Sequence, residues 1–539
     1  WEQILGALND VYDTYNEIFL PVALEEIETL SAEWKRAREV AMPVFQHYFF
    51  SGLLASAEQV RARIRRYVAP FDAELRASWG ITATEALEVA DWITAHLQQA
   101  LDAASEFAKE ERTAWLALLN KPFASLEDIR TRASASGYRG MAETLMQAIH
   151  RMHKLRHSDL AAQFGETGNA YWGRFSVGRG EGGALTYPTE RSVAELRPLI
   201  RLSEGEAMCL SGNTLYLGLL RAAEDALLAG PTKDRFLAAR DAALEQEAAE
   251  QMRRLVGPGA SVYESVAERP DGHYEHDVIV VAGDTAFIVE AKASPPAEPF
   301  RDPDKALLRL QRAFRSDKGI QKGFEQGARI RRRLDAGEVV QLYHLDGTPA
   351  VELSPGQLRQ WFCVCVTRDD YGPLATDLAL LLEKQPQEPY PWAVNILDLE
   401  ALGGAWAHLG WGAADLVRYL TERTPLHGRA FSTDELDFAG AFIRHGSLQD
   451  MSGDENTFVM LDPRYSNFFD ELYRHLQQGG PPPRRDVGAP FISDLRASLA
   501  AGEPVQAQAQ RAAGRAGADL PSGDGDPWCR CGSGLRRSL

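Results

Sequence analysis

The sequence predicts a mixed α/β protein, in which an all-α N-terminal domain precedes a central domain of short strands flanked by helices. Three observations carry this. Residues 21–40, 55–68 and 84–116 place apolar side chains at three- and four-residue spacing with few β-branched runs, the period of amphipathic helices. From about residue 230 a helix is followed by strand-like runs, a basic helix and further strands, an order of α/β type. The composition, 45% hydrophobic and 25% charged over 539 residues, is that of an ordinary globular chain. At roughly 150 residues per domain, such a length implies two to four domains.

The elements follow in order. Residues 1–228 form the helical region, with helix starts at Ser31, before Trp34 and Lys35, and at Thr82, which has the capping-box Glu85 three places on. A substrate- or partner-reading role is expected for it. The run Gly178-Arg-Gly-Glu-Gly-Gly183 has the GxGxxG spacing. It is followed by Ala184-Leu-Thr-Tyr187 and Pro188 where a dinucleotide site needs a helix, so it reads as a surface loop. The second domain, 229–445, opens with a helix over 234–255 that ends at Gly257-Pro-Gly259. Strands are expected at 260–266, 277–281 and 286–291, a long basic helix at 305–334, and strands at 339–343, 361–367 and 393–397. Later helices include one opened by the capping-box pattern Ser432-Thr-Asp-Glu435. A helical extension covers 446–478. Residues 479–527, rich in Gly, Pro, Ala and Gln, read as a linker with one short helix near 492–499.

Charge and cysteine content exclude several classes. Lys and Arg number 58 against 76 Asp and Glu, a net charge of −18, which opposes indiscriminate binding to nucleic acid or anionic membranes. The most apolar stretch, 210–228, is broken by Asn213, Arg221, Glu224 and Asp225, so no segment reaches the ~18 apolar residues of a membrane span. Five cysteines are too few for a secreted disulfide scaffold and point to a reducing, cytoplasmic setting. The sequence starts at Trp1, so the lack of a signal peptide carries no weight.

The chemistry concentrates in Tyr274-Glu-His-Asp277-Val-Ile-Val-Val-Ala-Gly283-Asp284-Thr-Ala-Phe-Ile-Val-Glu290-Ala-Lys292. Two apolar runs flank Gly283-Asp284, a two-residue hairpin signal. With that turn, opposed positions sum to 567, which sets Asp277 opposite Glu290 and Glu275 opposite Lys292. Directly opposed Cβ atoms lie about 4.5–5.5 Å apart. Alternation puts Lys292 on the face of Glu290. Two facing carboxylates destabilise a hairpin unless something compensates, and a divalent cation does so through the oxygen ligands that Mg²⁺ prefers. Lys292 could orient or deprotonate a metal-bound water, or stabilise charge on a phosphate. The bland alternative is a solvated strand face with a Glu275–Lys292 ion pair.

Asp277, twelve intervening residues and Glu290-Ala291-Lys292 resemble the PD-(D/E)xK, restriction-endonuclease-like nuclease superfamily over roughly residues 232–400. The departure is His276 where the motif has Pro. The resemblance implies a central mixed sheet flanked by helices and a metal-dependent nuclease. Asp277, Glu290 and the Ala291 carbonyl would hold Mg²⁺ or Mn²⁺, and Lys292 would serve catalysis. A further Glu is implied on the upstream helix, for which Glu245 is chosen and Glu247 and Glu250 stay open. A Gln is implied on the following helix, Gln321 or Gln326. Restriction of foreign DNA in a bacterium is the accompanying biological expectation, and a fold kept without activity, as a nucleic-acid-binding scaffold, is the alternative.

Residues 301–333 hold eleven Lys or Arg against four Asp or Glu. Beside such a hairpin, this run reads as a nucleic-acid contact, DNA before RNA, through Arg329, Arg331, Arg332, Arg333, Lys322 and Gln321. At the C-terminus, 528–539, Trp528-Cys529-Arg-Cys531-Gly-Ser-Gly resembles the small zinc motif that ends the SecA translocase. That motif continues with two further ligands eight residues on, so the natural chain is expected to extend and to bind Zn²⁺ only when complete. A closed structural site needs four ligands. A protein or nucleic-acid contact is expected of this tail, as a protein partner is of the helical domain. Cys363 and Cys365, within an apolar run, read as core, and Cys209 has no partner signal. His273 and His276 are expected to face solvent, and Asp434-Glu435-Leu-Asp437 to favour the positive end of a helix.

Overall fold

The structure is a computed structural model that describes residues 2–17, 19, 24–50, 56–119, 127–128, 131–132, 153–187, 189–299, 301–451 and 459–483. The chain divides into two units, Ala55–Arg240 and a second made of Trp1–Leu54 with Asp241–Leu539. The expected domain 1–228 is therefore redistributed, its first 54 residues joining the other unit.

Ala55–Arg240 is built on the helices Ala57–Arg63, Ala83–Leu119 and Gly212–Ala229. The Thr82 hydroxyl accepts from Glu85 N at 3.0 Å and the Glu85 carboxylate accepts from Thr82 N at 2.9 Å, the capping box that the sequence signalled. The unit is not all-α. It carries a small sheet of β1 (Lys154–Arg156), β2 (Ser176–Val177), β3 (Leu199–Ser203) and β4 (Glu206–Met208), in the order β1-β4-β3-β2. Strands of two to five residues are too short to show an alternation in sequence. The 178–183 segment is a loop, with Gly180 and Gly183 at positive φ and Glu181 paired to Arg201.

The other unit centres on a seven-stranded mixed sheet. Its strands are β5 (Ser261–Ala267), β6 (Glu275–Ala282), β7 (Thr285–Lys292), β8 (Val340–His344), β9 (Pro349–Leu353), β10 (Gln360–Thr367) and β11 (Trp392–Asn395). Their order is β11-β10-β7-β6-β5-β8-β9. The β6–β7 hairpin turns on Gly283, at φ +62°, and pairs Ala282 with Thr285 through to Val278 with Val289, the register that the two-residue turn dictates. β10 runs parallel to β7, so β7 lies inside the sheet and residues 285–290 are all buried, as their apolar run requires.

Helices cover the sheet. Ile320–Asp335 packs Ile330 and Leu334 against Ile279, Ile288 and Val340. The expected single basic helix is two, Pro303–Phe314 and Ile320–Asp335, because the chain turns back at Gly319, where a Cβ would sit 2.2 Å from the Phe314 carbonyl. The helix Ala32–Phe50 supplies Val40 and Val44 to the core of Leu310, Phe314, Phe324 and Tyr371. The later helix starts at Glu435 with Asp434 as N-cap, its carboxylate accepting from Leu436 N at 2.8 Å, two residues after the expected Ser432. Glu435 itself is buried against Arg423, Trp392 and Tyr419, so it does more than favour a helix end. Among the described residues no helix is long and apolar enough to cross a membrane.

Candidate active site

Asp277, Glu290 and Lys292 meet at the open end of the β6–β7 hairpin. The Lys292 ammonium lies 3.5 Å from Glu290 Oε2 and 3.8 Å from Asp277 Oδ2. Neither acid is Glu275, the partner that the bland alternative requires, and Glu275 is exposed. Ala291 N donates to Asp277 Oδ2 at 2.6 Å, which ties the first carboxylate to the motif's middle residue. The Glu290 side chain is 1% exposed and, among the described residues, its Oε2 receives no hydrogen bond.

The helix Lys233–Val256 brings Glu245 to the same cleft, close enough for Asp277, Glu275 and Lys292 to bear on its charge. Burial and the Asp277 carboxylate push Glu245 up to about 7. Burial and then Glu290 push Asp277 up to about 6. Burial opposes charge on Lys292, but Glu290 and Asp277 outweigh it and hold the amine above its ordinary value. Carboxylates this crowded and only partly neutralised by one ammonium form an excess of negative charge. Their oxygens, with the Ala291 carbonyl, are the donor types that suit Mg²⁺ or Mn²⁺. Among the described residues, however, no three His, Cys, Asp or Glu side chains are spaced as a ready-made metal cluster.

The helix Ile320–Asp335 can lie on this end of the sheet because Gly323 and Gly327 face it. A Cβ on Gly323 would stand 3.1 Å from Lys292 Cε and 3.2 Å from Cys365 Sγ, and one on Gly327 would stand 3.1 Å from Cys363 Sγ. The Gly-x-x-x-Gly spacing of 323 and 327 is the local sequence signal of this close approach. Cys363 and Cys365 are core, as expected, with burial pushing the Cys363 thiol up to about 12.

His276 is the main surprise. Expected to face solvent, it is fully buried; its Nδ1 lies 2.7 Å from Glu290 Oε1 and its Nε2 3.2 Å from Glu268 Oε1. Strict alternation would have turned it away from Glu290. Instead, Ser265 adopts φ +49°, and β5 and β6 pair on either side of the Ser265/Asp277 position but not at it. The β6–β7 ladder likewise ends at Val278 and Val289, so the expected Asp277–Glu290 and Glu275–Lys292 pairs lie beyond it and His276, not Asp277, meets Glu290 Oε1. His273 is exposed, as expected.

The expected nucleic-acid residues are more compensated than their charge run suggests. Arg329 pairs with Glu268, Arg333 with Glu268 and Glu338, Arg332 with Glu388, and Arg331 with Asp335. Gln321 is buried, its amide donating to the Glu383 carbonyl at 2.9 Å and accepting from Glu383 N at 2.9 Å, so it braces the segment at Glu383. Lys322 is exposed. Cys529 and Cys531 lie outside the described residues, as do 484–527 of the expected linker.

No protein-family model, no curated protein and no solved structure matches the chain.

Proposed function

We propose that the protein is a metal-dependent nuclease of restriction-endonuclease-like fold that hydrolyses DNA phosphodiester bonds. The observation that carries this reading is the convergence of Asp277, Glu290 and Lys292 within 4 Å, with Glu290 Oε2 left without a hydrogen bond and Glu245 adding a third carboxylate. The mixed sheet, with the motif strand β7 between antiparallel β6 and parallel β10, supports it. Mg²⁺ or Mn²⁺ held by Asp277, Glu290 and the Ala291 carbonyl would lower the pKa of a bound water and draw charge from the phosphate. Lys292, held charged, stabilises negative charge as it develops on the phosphate oxygens. Glu245, with its raised proton affinity near neutrality, is suited to accept or return a proton. A DNA partner, a protein partner and a role in restricting foreign DNA belong to the same proposal.

A second reading, a nuclease-like scaffold without activity, is favoured by the absence of a ready-made three-ligand cluster among the described residues and by the paired arginines of the basic helix. Incubation with linear and plasmid DNA, with Mg²⁺ or Mn²⁺ or a chelator, separates the two. Metal-dependent fragmentation supports the enzyme. Intact DNA that is nonetheless bound supports the scaffold.

A further inference from the structure

The two oxygens of Glu290 have opposite situations. Oε1 is held by the His276 ring at 2.7 Å, while Oε2 makes no hydrogen bond among the described residues and faces only the Lys292 ammonium, at the longer ion-pair distance of 3.5 Å. The histidine is in turn held. Its Nε2 meets Glu268 Oε1 at 3.2 Å, and Glu268 is gripped by Arg329 and by Arg333 at 2.9 Å. Nδ1 faces a carboxylate and donates to it, while Nε2 faces both Glu268 Oε1 and, at 3.5 Å, the Arg329 guanidinium. The side chains of His276, Glu290 and Glu268 are 0%, 1% and 6% exposed, so water does not replace these bonds. The chain therefore runs from two arginines on the helix Ile320–Asp335, through an acid at the end of β5 and a histidine on β6, to the motif glutamate on β7.

We infer, building on the metal-dependent reading above, that His276 is a positioning residue: it fixes Glu290 by Oε1 and so reserves Oε2 for the cation. Without the imidazole, Oε1 becomes a buried, charged acceptor with no donor, an arrangement that does not persist unrelieved. The nearest remaining cation is the Lys292 ammonium, already 3.5 Å from Oε2. The carboxylate then turns onto Lys292 with both oxygens, the ion pair already made through Oε2 tightens, and the site loses a ligand. The residue that departs from the resembled motif, His in place of Pro, thereby acquires a role that the motif does not supply.

The test is calorimetric titration of the full chain with Mn²⁺, without nucleic acid. His276→Ala is expected to weaken Mn²⁺ binding about 10- to 100-fold, the range for removing a group that orients a metal ligand. His276→Asn keeps a donor facing Glu290 and is expected to restore affinity to within about 3-fold of wild type. Glu268→Gln perturbs the chain from its far end, decides the matter if the alanine variant does not fold, and is expected to weaken binding by up to about 10-fold. Wild-type affinity in both His276→Ala and Glu268→Gln overturns the inference and leaves the metal reading standing. A loss in the alanine variant that asparagine does not restore also overturns it, because it assigns His276 to packing alone. No Mn²⁺ binding by the wild-type chain overturns the metal reading itself, and this inference with it.

Discussion

Acids crowded into a partly buried cleft compete for protons with folding itself. Glu245 is held up to about 7 by burial and the Asp277 carboxylate, well above its unfolded value. The folded state thus binds this proton more tightly, so its contribution to stability is full below about pH 4.5 and is lost as pH rises through about 7. Glu245→Gln is accordingly expected to be more stable than wild type at pH 8, by on the order of 1 kcal/mol after solvent screening, and equally stable at pH 4. Urea unfolding of both proteins at the two pH values checks this, and equal midpoints at pH 8 would contradict it. Glu268 behaves in the opposite sense. Burial works to raise it, but hydrogen bonds from His276 and Arg329 prevail and bring it down to about 2. Its stabilisation is present above about pH 4.5 and is lost as pH falls towards about 2, so the deficit of Glu268→Gln at pH 7 should close over that acid range. The triad of Asp277, Glu290 and Lys292 was legible in the sequence because a two-residue turn fixes which residues can meet. The His276–Glu268 arm was not, since strict alternation turns His276 away from Glu290 and the β6–β7 ladder stops before it applies at 276 and 277.

At the scale of elements, the site exists because a helix comes unusually close to two strands. Gly323 puts no side chain between Ile320–Asp335 and the stems of Lys292 and Glu290. Gly323→Val is expected to cost about 1–3 kcal/mol by overpacking. It should also displace Lys292, so cleavage falls further than stability does; a thermal melt run beside the cleavage assay reads both. A variant with wild-type stability and rate would mean that the helix has room to spare. Glycines four apart on a helix were visible in the sequence, but their meaning required the partner strand. The charge run of 301–333 was equally visible. Its compensation was not, because Glu268, Glu338 and Glu388 arrive from segments distant in sequence or just past the helix end. The missed strand β9 pairs only with β8, at the edge of the sheet, and opens on a proline, which a sequence reading discounts.

At the scale of the molecule, the unit that carries the site is assembled from two stretches of chain. Val40 and Val44 pack with Leu310, Phe314 and Tyr371, and Phe45 packs with Ala306. At about 1.5–3 kcal/mol for each large apolar side chain buried, deleting residues 1–54 is expected to cost that unit on the order of 5 kcal/mol. Denaturant unfolding of the shortened protein should show this as an early transition, and an unchanged midpoint would remove the segment from the core. Helical periodicity revealed that residues 1–54 are helical in part, but the domain that they join is a long-range fact without a local signal. The central claim, that the Asp277–Glu290–Lys292 cleft cuts DNA, is tested most directly by the rate at which supercoiled plasmid is nicked or linearised in Mn²⁺ by wild type and by folded Lys292→Ala. The account predicts a chelator-sensitive wild-type rate and a loss of about 100-fold or more in the variant, the scale of removing one charge-stabilising group. Equal cleavage by the two proteins would place the chemistry elsewhere in the chain.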